Sequence, residues 1–89
     1  MTAVKNILVV EDDPNISQLL RMHLEKAGYR VGKAADGRLA IQRFDEGGWD
    51  LVVLDLMLPH VEGMEVCRHI RNSPRYVPVL MLTAKSEEA

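Results

Sequence analysis

Leu51-Val52-Val53-Leu54-Asp55 is an apolar run closed by an acid. It repeats an earlier stretch, Ile7-Leu8-Val9-Val10, which runs into Glu11-Asp12-Asp13. Short continuous apolar runs read as strands buried on both faces. A carboxylate at the tip of such a strand is carried on a stiff element at the rim of the core. Two such tips side by side would gather several carboxylates in one place. Like charges that close cannot all ionise cheaply without a cation between them. The pattern therefore points to a hard divalent metal beside one reactive acid.

Working outward, Asn6 to Val10 reads as the first strand. Asp13 offers an N-cap, and Pro14 stands at the first helical position, where proline is tolerated. Ile16, Leu19, Leu20, Leu24 and Ala27 follow at helical spacing, and Gly28 stops that helix. His23 falls near the same apolar stripe and reads as a partly buried structural histidine. Tyr29 to Ala34 reads as a second strand, weakened by Gly32. After the turn at Asp36-Gly37, Ala40, Ile41 and Phe44 indicate a helix that ends at Gly47-Gly48. Trp49 reads as a packing residue at the entrance of the strand Asp50 to Leu54. A loop is expected from Leu56 to Glu62, then a helix with Val66, Cys67 and Ile70 inward, broken at Asn72-Ser73-Pro74. Val77 to Thr83 reads as the fourth strand. Strands alternating with helices predict an α/β domain with a parallel sheet and helices on both faces.

At 89 residues the chain is expected to form one domain, residues 1–89. Its net charge of -2, with basic residues scattered among acids, gives no footprint for direct nucleic-acid binding. A lone cysteine, Cys67, excludes an internal disulfide and reads as core packing. No apolar run reaches transmembrane length, so no membrane association and a cytoplasmic location are expected. No Gly-rich turn follows the first strand, which argues against a dinucleotide enzyme.

Three motifs in order, NILVVEDD, LVVLDLMLP with Gly63 following, and VPVLMLTA, resemble the receiver domain of bacterial response regulators, in particular the OmpR/PhoB type. The resemblance covers essentially the whole chain. It implies a flavodoxin-like three-layer α/β/α fold and phosphoryl transfer to Asp55 from a sensor histidine kinase, assisted by Mg2+. The phosphorylated module would regulate an attached DNA-binding output domain, as a signalling protein and not a free-standing enzyme. Asp55 matches the phosphoacceptor. Asp12 matches the direct metal ligand and Glu11 its neighbour, and Met57 matches the position whose backbone carbonyl completes the metal site. Thr83 matches the switch hydroxyl, and Ala84 the small residue beside it that leaves room for phosphate. Asp13 extends the acidic run but reads mainly as the helix cap.

The receiver pattern continues with a fourth helix, a fifth strand ending in a lysine, and a fifth helix. The expectation is a receiver truncated after its fourth strand. Val79-Leu80-Met81-Leu82 would then form a bare sheet edge, which invites self-association. Two other readings follow from the residues. A phosphatase of the haloacid dehalogenase kind would want an acid where Met57 stands. A truncated chain with a disabled site would act only as an interaction or folding scaffold.

Overall fold

The computed structural model describes residues 3–55, 58 and 60–82, and for residues 60–62 the backbone only. The elements are β1 (Asn6–Val10), α1 (Pro14–Lys26), β2 (Arg30–Ala34), α2 (Gly37–Glu46), β3 (Leu51–Asp55), α3 (His60–Arg71) and β4 (Val79–Leu82). The four strands form one parallel sheet in the order β2-β1-β3-β4.

Local chemistry sets the helix boundaries. The Asp13 carboxylate accepts the N–H groups of Asn15 (2.8 Å) and Ile16 (3.4 Å), satisfying donors that the first turn of α1 leaves unpaired. Beyond the other end, Gly28 adopts φ 103°, which lets the Gly28 and Tyr29 N–H groups return to the carbonyls of Glu25 and Leu24. Asp36 caps α2 in the same manner, accepting the Leu39 N–H at 2.8 Å.

Side-chain alternation along the strands divides the core into two faces. Leu8, Val10, Val52 and Leu54 pack with Ala40 and Phe44 of α2 and with Val66, Cys67 and Ile70 of α3. Ile7, Val9 and Val53 face the other way, against Leu20 and Leu24 of α1. The architecture is the three-layer α/β/α sandwich that the alternation of elements predicts, and Cys67 is a core residue as expected.

Gly32 has a structural reason. A Cβ there would stand 2.4 Å from Trp49 Cη2, so the indole of Trp49 lies directly on the β2 backbone. Trp49 is held in that place by Nε1 donating to the Arg43 carbonyl at 2.8 Å. It is the packing residue its sequence position suggests.

Several expectations are corrected. Ile16, Leu19, His23 and Ala27 are exposed, Leu19 by 54 %, while Ser17 is buried beneath α1. The helix lies over β1 and β2, so Leu20 and Leu24 meet the sheet and the rest of the apolar stripe turns away from it. The expected loop 56–62 is shorter, because α3 begins at His60 and takes Gly63 inside it. One helical glycine costs about 1 kcal/mol, which burial of Val66, Cys67 and Ile70 outweighs. β2 begins at Arg30 instead of Tyr29, β3 spans Leu51–Asp55, and β4 begins at Val79 instead of Val77, the expected end at Thr83 lying outside the described residues. Val77 is buried ahead of β4 without being part of the strand.

Candidate functional site

The strand order settles what spacing alone left open: β1 and β3 are neighbours, with Val10 opposite Leu54. The two acidic tips therefore leave the sheet side by side, at the carboxyl ends of the strands, where open α/β sheets bind ligands. Glu11 continues directly from β1, its N–H donating to the Ala34 carbonyl of β2 at 3.0 Å. Asp55 is the last residue of β3, and its carbonyl accepts the Leu58 N–H at 3.3 Å as the chain turns away.

Glu11, Asp12 and Asp55 each place one carboxylate oxygen within 4.8 Å of the others. Glu11 is 4 % exposed and Asp55 7 %, whereas Asp12 faces solvent. The cluster thus has a buried floor and an open side. Burial is the main reason that the Glu11 carboxyl is pushed up to about 7, and a hydrogen bond with the Asp55 carboxyl adds to it. The Asp13 N–H, donating to Glu11 Oε2 at 3.0 Å, opposes that shift. The negative charge of Asp55 and a hydrogen bond with Asp12 raise it further. Burial and crowding thus favour the protonated form of the Glu11 carboxyl. A hard cation would relieve the same crowding without a proton, and the all-oxygen donor set suits Mg2+.

Of the site residues expected from the sequence, Glu11, Asp12 and Asp55 come together. Met57, Thr83 and Ala84 lie outside the described residues. Asp13 is not in the cluster, and its side chain serves the helix cap as expected. Sequence reasoning missed that the Asp13 backbone N–H holds Glu11. The only available signal was an acidic run followed at once by proline.

Comparison with known proteins is consistent with this geometry. The family model described as the response regulator receiver domain matches residues 7–89. The transcriptional regulatory protein ResD of Bacillus subtilis is 49% identical over 83 residues, covering 93% of this chain and 34% of that protein. The chain thus spans about a third of the length of the curated relatives it matches. Among solved structures, the response regulator TrrA of Thermotoga maritima, in complex with Mg2+-BeF, superposes with a TM-score of 0.85. That match is 41% identical and covers 93% of this chain and 72% of that one. TrrA in complex with the histidine kinase ThkA gives a TM-score of 0.83 at 40% identity, covering 94% and 72% of the two chains.

Proposed function

The chain belongs to the family of response regulator receiver domains of two-component systems, and from that premise we propose that Asp55 accepts a phosphoryl group from a sensor histidine kinase. The observation that carries this reading is the convergence of Glu11, Asp12 and Asp55 at one strand end. An Asp55 carboxylate oxygen attacks the phosphorus of a phosphohistidine. The P–N bond breaks, its electron pair stays on the imidazole nitrogen, and an acyl phosphate forms on Asp55. Glu11, Asp12 and Asp55 would hold Mg2+, with the Met57 backbone carbonyl as the further ligand that the receiver motif implies, and the ion would supply charge neutralisation for the incoming phosphoryl oxygens.

Burial of Asp55 on a strand end restricts the directions from which phosphorus can approach it, and the exposed side at Asp12 is the way in. On the strength of the receiver motif they match, Thr83 is assigned as the switch hydroxyl and Ala84 as the small residue beside it. The new charge then biases a two-state surface read by an output domain. The relatives' description as transcriptional regulators supports a transcriptional output for the whole protein, and the net charge of -2 supports an output reached without nucleic-acid contact by residues 1–89. In this reading the chain is a stoichiometric cytoplasmic phosphoacceptor and not an enzyme with turnover. Among the described residues no helix is long and apolar enough to cross a membrane.

Incubation with acetyl phosphate and Mg2+ tests the assignment. The expected result is a mass gain of one phosphoryl group that disappears in Asp55→Asn. Retention of the label at the same level in Asp55→Asn would overturn it, and steady hydrolysis of a generic phosphate ester would favour a phosphatase instead.

One observation favours a second property, self-association of the 89-residue chain. Leu80 is 52 % exposed and Met81 is exposed beside it, on an edge strand that carries no charge. Among the described residues β4 pairs on one side only, and an uncharged edge of that kind is a template for pairing with another chain.

A further inference from the structure

Asp13 is tied at three points. Its N–H donates to Glu11 Oε2 at 3.0 Å. Its side-chain oxygen accepts the Asn15 and Ile16 N–H groups, and its carbonyl accepts the Ser17 N–H at 2.9 Å. Ser17 is buried, so this first turn of α1 is pressed against the fold. Asp13 itself is extended, with φ -81° and ψ 115°, the non-helical geometry of an N-cap residue. The same residue thus starts a helix and holds a carboxylate of the acidic cluster. Without the cap, nothing in its side chain would anchor the amide that Glu11 uses.

We propose that Asp13 is a positioning residue for the metal clamp, acting through its helix cap and not through its charge. The cap fixes the Asp13 N–H, and that N–H orients the Glu11 carboxylate toward Asp12 and Asp55. The proposal rests on the Mg2+ reading of the site. Two observations separate cap from charge. The Asp13 carboxylate is committed to two backbone donors, and the cluster formed among the described residues contains Glu11, Asp12 and Asp55 without it. Residues that orient a ligand from behind are commonly worth tenfold or more in metal affinity.

The test compares Asp13→Ala with Asp13→Asn, because asparagine caps a helix about as well as aspartate yet carries no charge. Mg2+ is titrated into each folded variant, and amide exchange is read by NMR in the metal-free chain. Asp13→Ala should weaken Mg2+ binding on the order of tenfold. Asp13→Asn should stay within about twofold of the unaltered chain. Without metal, the amide at position 13 should exchange faster in Asp13→Ala and keep its protection in Asp13→Asn. Equal weakening in both variants would show that charge is what matters and overturn the proposal. Unchanged Mg2+ affinity in Asp13→Ala would overturn it as well. Absence of Mg2+ binding by the unaltered chain would sink the metal reading, and the metal-free amide comparison would then decide the positioning by itself.

Discussion

Glu11 is where the acidic cluster becomes measurable. Its carboxyl is pushed up from 4.5 to about 7, first by burial. A carboxyl raised in the folded state contributes stability that is fully present below its unfolded value and lost as pH rises through the folded one. The metal-free chain should therefore lose stability between about pH 4.5 and pH 7 on account of this group. Glu11→Gln should flatten that window by roughly 1–3 kcal/mol in urea unfolding measured at both ends. Mg2+ binding requires the ionised form, so the Mg2+-induced rise in melting temperature should be larger at pH 8 than at pH 5.5. An equal rise at both pH values would show that the Glu11 proton does not compete with the cation. The carboxylates themselves were legible in the sequence, because acids closing apolar runs stand out. The shifted titration was not, since it depends on the depth at which β1 and β3 bury their tips.

At the scale of elements, Gly32 in β2 is held open by its neighbour. Gly32→Ala would drive a methyl group into an indole tethered to the Arg43 carbonyl. The expected cost is about 1–3 kcal/mol, the usual range for overpacking. Trp49 is the only tryptophan, so its fluorescence should report the displacement directly. Unchanged stability and emission would mean that the ring swings aside freely. From sequence alone this glycine reads as a weakness in the strand, because a close approach between residues 17 positions apart leaves no local trace. The cap of α1 was different: Asp13 and Pro14 act within a turn and are visible in a window of a few residues, whereas Asp36 read only as part of a turn and its capping of α2 emerged from the structure. The apolar stripe of α1 marked the helix but overstated its burial. Periodicity reports which side of a helix is apolar, and only packing decides how much of that side meets the sheet.

At the scale of the whole molecule, the two sheet edges among the described residues are unlike. β2 carries Arg30 and Lys33 and is covered by α1 and α2, whereas β4 is Val79-Leu80-Met81-Leu82, uncharged and half exposed. Charge on an edge strand is a common barrier to edge pairing. Leu80→Lys should therefore shift the 89-residue chain toward monomer in sedimentation. A wild-type chain already monomeric at about 50 μM, a concentration at which weak specific contacts persist, would remove the reason for that shift. The sequence by itself determined the order of elements, the Asp13 cap, the family and the identity of the acids, because each is written in contiguous residues. Only the tertiary structure decided that β1 and β3 are neighbours, that Glu11 and Asp55 are buried while Asp12 is open, and that Trp49 covers Gly32. Those relations join residues far apart in the chain, and they arise from how strands pair and helices settle on the sheet.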